Sequence, residues 1–67
     1  MQNESGKKIR ELRKNAGMTM ASFAQKIGVS MNTIYRLEMG MHRPSMDTMV
    51  RISYHMGVPI QDIANIK

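Results

Sequence analysis

Glycine recurs at Gly17, Gly28, Gly40 and Gly57, and each closes a stretch whose apolar residues return every three or four positions. Glycine just past a helix supplies the left-handed residue that ends it, because no side chain opposes that conformation. This punctuation limits the chain to short helices. In GKKIRELRKNAG, Ile9, Leu12 and Ala16 share a face and Ser5 is placed to cap. In TMASFAQKIG, Thr19 caps and Phe23, Ala24 and Ile27 form the apolar stripe. In SMNTIYRLEMG, Ser30 caps and Ile34 and Leu37 point inward. In SMDTMVRISYHMG, Ser45 caps and Met46, Met49, Val50, Ile52, Ser53 and Met56 make a broad inner face. In VPIQDIANI, Pro59 suits a helix start and Ile60, Ile63 and Ala64 face in. No segment alternates with the period of a strand. The expectation is an all-α fold of five helices, at about 6–16, 20–27, 31–39, 46–56 and 60–65, in one domain spanning 1–67.

A chain of 67 residues has room for one domain of modest stability. It has no cysteine, which excludes disulfides and thiolate metal sites. No stretch approaches the length of a membrane span, and MQNESGKKIREL lacks the apolar run of a signal peptide. A soluble cytoplasmic protein is expected. The net charge is +5, and it is uneven. Residues 1–43 hold eight Lys/Arg against three Asp/Glu, whereas residues 44–67 hold two of each. A basic half beside a neutral half either marks a face meant for an anion or merely solubilises the chain.

The link between the second and third segments, IGVSMN, ends one helix at Gly28 and caps the next at Ser30. So short a turn joins either the steeply crossed pair of a helix-turn-helix or an ordinary helical hairpin. Glu38 follows Leu37, and Arg13 follows Leu12, so both sit at the margin of an inner face. A half-buried carboxylate needs a cation, and arginine offers a bidentate fork, so a structural ion pair is expected there.

From Gly6 to Ile66 the order and spacing of GVS…TI…LE.G…RPS…T…I…GV resemble the lambda-repressor-like helix-turn-helix family, of the Cro/C1 or XRE type. The resemblance implies five helices, with the second and third forming the helix-turn-helix, and dimeric binding to operator DNA. It implies that Thr19 caps helix two and touches a phosphate. It sets Ser30, Met31, Asn32, Thr33, Tyr35 and Arg36 on the outward part of the recognition helix. It makes Met41, His42 and Arg43 the loop that grips the DNA backbone, and Arg13 and Glu38 a structural pair. The chain departs from the pattern in carrying Met20 where glutamine is common and Met41 where a cation is common. Met31 and Met39 stand where polar residues are frequent.

In a major groove, Asn32 can pair with adenine and Arg36 with guanine, and Met31 can touch a thymine methyl. Tyr35 can reach a phosphate or a base edge. Lys26, Thr33 and Arg43 suit phosphates, as do the first amides of helix two near Thr19 and Met20. Lys7, Lys8 and Lys14 read as a solvated face.

The methionines divide. Met18, Met46, Met49 and Met56 fall at core positions, whereas Met20, Met31, Met39 and Met41 do not. The run MGMH, Met39 to His42, offers two thioethers and an imidazole, a set that suits Cu(I). Alternatively, exposed methionines make an adaptable protein-binding surface. His42 and His55 have no acidic or nucleophilic companions, so no catalytic residue, resident metal, cofactor or small-molecule substrate is expected. The leading expectation is a cytoplasmic, nucleoid-associated, sequence-specific regulator of double-stranded DNA, most simply a repressor. It would dimerise through about 59–67, where Ile66 is left over. The rival is a protein-interaction module, antitoxin-like or anti-repressor, that binds through Met31, Tyr35 and Met39.

Overall fold

A computed structural model describes residues 4–64. Its helices are α1 (Glu4–Asn15), α2 (Met20–Ile27), α3 (Met31–Glu38), α4 (Met46–Met56) and α5 (Ile60–Ala64), with no strand among the described residues. The starts of α2, α3 and α4 share one device. The hydroxyls of Thr19, Ser30 and Ser45 accept the backbone N–H three residues on, from Ser22, Thr33 and Thr48. In α2 the device is reciprocal, since the Thr19 N–H donates to the Ser22 hydroxyl at 3.0 Å. Each contact satisfies an amide that the first helical turn leaves without a partner.

The core draws on every helix: Ile9, Phe23, Ala24, Ile27, Ile34, Leu37, Ile52 and Ile63 are all buried. Helix α3 packs on α1 and α2, while α4 packs on α2 and α5. Gly6 marks a close approach of α1 to α3. A Cβ there would collide with the Leu37 carbonyl oxygen, so α1 crosses the end of α3 backbone against backbone.

Several expectations are corrected. Ser5 lies inside α1 and is buried, so it does not cap that helix, which begins at Glu4. Ala16 is exposed, because α1 ends one residue before it. Met39 caps the C-terminus of α3 and is not part of it. Met46 and Val50 are exposed. The inner line of α4 runs through Thr48 and Ile52, flanked by Met49 and Met56, and covers about a third of the circumference. Met46 and Val50 fall on the opposite side of that line. Met20, read as outside the core, packs against it. It shares the i, i+3, i+4, i+7 stripe of Phe23, Ala24 and Ile27, and its flexible thioether fills the gap. Ile66, and residue 65 at the expected end of helix five, lie outside the described residues.

Candidate nucleic-acid interface

Three residues, Gly28, Val29 and Ser30, separate α2 from α3. Gly28 takes φ 84°, and its N–H donates to the Ala24 carbonyl at 2.9 Å. The Val29 N–H reaches the same carbonyl at 3.0 Å. The chain therefore leaves α2 abruptly and enters the Ser30 cap at once. Arg51 of α4 braces the joint. Its Nη1 donates to the Ile27 carbonyl at 3.2 Å, and its Nε to Asp47 at 2.9 Å. Sequence reasoning missed this residue. The i, i+4 spacing of Asp47 and Arg51 signalled their pairing, but nothing signalled the reach to α2.

Ile34 and Leu37 anchor α3 in the core and leave Asn32, Arg36 and Met39 facing out as an i, i+4, i+7 row. Met31 and Tyr35 are also exposed, along one flank of that row. Thr33 is half-buried, and its hydroxyl pairs with the Ser30 hydroxyl at 2.8 Å, so it works within the cap. Thr19 and Lys26 are exposed at opposite ends of α2. Met20 is half-buried against the core, and at the start of α2 its backbone amide is the group suited to a phosphate. Met41, His42 and Arg43 are exposed in the α3–α4 connection, where Nδ1 of His42 lies 3.2 Å from the Arg43 carbonyl.

Glu38 sets the electrostatics. It is the only carboxylate between Glu11 and Asp47. Its side chain is 2% exposed and that of Arg13 is 11% exposed. Arg13 Nε donates to Oε2 at 2.7 Å and Nη2 donates to Oε1 at 3.0 Å. The remaining Nη1 donates to the Met18 carbonyl at 2.9 Å, so one guanidinium joins α1, α3 and the α1–α2 turn. Hydrogen bonds to Glu38 raise the Arg13 pKa; burial opposes this and the carboxylate charge adds to it. The exposed surface of α2, α3 and the following connection is thus free of negative charge, while Lys26, Arg36 and Arg43 stand on it. Such a surface attracts polyanions and repels little.

The chain belongs to the helix-turn-helix family of Cro/C1 or XRE type, whose sequence model matches residues 9–63. The family comprises DNA-binding proteins without enzymatic activity. An uncharacterized HTH-type transcriptional regulator of Methanothermobacter thermautotrophicus is 41% identical over 49 residues, covering 73% of this chain and 71% of the relative. Another, from Archaeoglobus fulgidus, is 38% identical over 56 residues, covering 84% and 80%. Among solved structures, ComR from Streptococcus suis superposes on the whole chain with a TM-score of 0.81 at 25% identity. The chain spans only 22% of ComR, and 17% of one longer archaeal relative. No helix among the described residues is long and apolar enough to cross a membrane.

Proposed function

We propose that this chain is a cytoplasmic, sequence-specific regulator of double-stranded DNA that reads the major groove with α3 and most simply acts as a repressor. The observation that carries the reading is the carboxylate-free face around α3, whose single acid is buried against Arg13. Arg36 and Asn32 are the base readers, with guanine and adenine edges as their partners. Met31 supplies apolar contact to a thymine methyl, and Tyr35 a hydroxyl for a base edge or phosphate. Lys26 and Arg43 hold phosphates, helped by Thr19, Thr33, His42, the connection at Met41 and the amide of Met20. A pair of chains would set two α3 helices in successive major grooves, about 34 Å apart.

The exposed Met31, Tyr35 and Met39 favour one rival, a surface that binds protein instead of DNA. Salt separates the two. Phosphate-driven affinity falls steeply as salt rises, and an apolar protein contact does not. The test selects duplexes from a random pool at low ionic strength, then compares the wild type with Arg36→Ala. The expected result is salt-sensitive binding, with preference at one base pair relaxed in the variant by roughly 1–3 kcal/mol. No salt-sensitive duplex binding would sink the proposal. Unchanged preference in Arg36→Ala would remove Arg36 from the readers.

A further inference from the structure

Among the described residues seven large apolar side chains are exposed, and they form two groups. Met31, Tyr35, Met39 and Met41 belong to α3 and the connection after it. Met46, Val50 and Tyr54 lie on α4, at i, i+4 and i+8, and are 63%, 47% and 81% exposed. That spacing draws one inclined ridge along the helix, turning by about 40° per step, on the side away from Ile52 and the core. Met31, Tyr35 and Met41 of the first group have a use in the proposed function, and the α4 stripe has none. By contrast, the described part of the C-terminal segment turns its apolar residues inward. Ile63 is buried, and Ile60 and Ala64 are half-buried.

We infer that the α4 stripe is the surface on which two copies of this chain associate, α4 against α4′ and antiparallel, with Val50 on the two-fold axis. The stripe is its own complement. Val50 is midway between Met46 and Tyr54, so a two-fold at Val50 sets Val50 on Val50′ and each Met46 under the partner's Tyr54. Thioether against aromatic ring is a favourable contact. The flanking row is Asp47, Arg51 and His55, acidic toward the N-terminus and basic toward the C-terminus. Reversing one helix brings each Asp47 toward the other copy's Arg51, so the charges match as well. A parallel arrangement would instead set Asp47 on Asp47 and Arg51 on Arg51.

The exposed part of these three side chains is roughly 400 Å² per copy, about half of what each partner gives in a standard interface. The association is therefore weak in free solution, and two adjacent half-sites on one duplex strengthen it by proximity. The inference rests on the DNA-binding reading for that last step only. Self-association itself does not depend on it.

The test exploits the absence of cysteine. Packed helices sit 8–10 Å apart, which leaves about 3.4–5.4 Å between Cα atoms at a central two-fold, and the wider of these spacings is within disulfide reach. Val50→Cys in the full chain, under mild oxidation, is expected to form a linked dimer about ten times faster than Gln25→Cys, an exposed control on α2. The wild type should sediment as a dimer at high concentration and Val50→Asp as a monomer, with equal melting temperatures at dilutions where both are monomers. Equal rates for Val50→Cys and Gln25→Cys, or a Val50→Asp chain that still sediments as a dimer, would overturn the inference. Binding of Val50→Asp to a single half-site reports separately on the DNA reading, because Val50 lies off the proposed reading face.

Discussion

Arg13 holds a carboxylate that has almost no contact with water, and the pair stands on geometry more than on charge alone. Two guanidinium nitrogens each bond a different oxygen of Glu38, at 2.7 and 3.0 Å, and the third donor closes the α1–α2 turn. Arg13→Ala therefore strands the Glu38 charge in a buried place. The expected cost is about 3–5 kcal/mol in urea denaturation, and Arg13→Met with Glu38→Leu should recover much of it. The raised Arg13 pKa means that its contribution is fully present below the ordinary arginine pKa and lost only above the folded one, so it stays constant through the neutral range. This pair was legible in the sequence because each partner sits one position beyond an apolar anchor. Met46 and Val50 were not legible. Nothing in the pattern tells an apolar residue that faces the core from one left exposed to solvent, and both kinds lie on α4.

The helices themselves were legible because their punctuation is local. Thr19, Ser30 and Ser45 cap, and Gly28 and Gly57 close, through contacts within a few residues. What the sequence hid is how closely helices approach each other. Gly6 sits inside α1, where alanine ordinarily adds helix stability of about 1 kcal/mol. Here the sign reverses, because the new Cβ meets the backbone at Leu37, which cannot swing aside. Gly6→Ala is expected to destabilise by roughly 1–3 kcal/mol, read as a lowered melting temperature. A second prediction at this scale concerns the Ser30 cap of α3. Ser30→Ala should cost about 1 kcal/mol of stability, whereas Ser30→Asp restores the cap. If α3 meets phosphates as proposed, Ser30→Asp lowers duplex affinity while stability is kept. Thermal melts and duplex titrations on the same samples separate the two effects. Equal affinity for the aspartate variant and the wild type would mean that the start of α3 lies away from phosphate.

For the whole molecule, the charge asymmetry was visible in the sequence, but its consequence was not. The fold was needed to bury Glu38 and so leave one face without an acid. That face gives a quantitative expectation. Each phosphate neutralised contributes about −0.9 to the slope of log affinity against log salt. Lys26 and Arg43 are the proposed phosphate cations of each chain, so one chain on a half-site should give a slope near −1.8, and a pair on a full site near −3.6. Lys26→Gln should make the slope shallower by about 0.9 per bound chain and weaken binding to every sequence alike, since it touches no base. Arg36→Ala should instead change sequence preference. Duplex titrations over a range of salt, on half-sites and full sites, read all of these values. A full-site slope equal to the half-site slope would mean that one chain binds alone. An unchanged slope in Lys26→Gln would place that lysine away from the backbone and turn the assignment toward the lysines of α1.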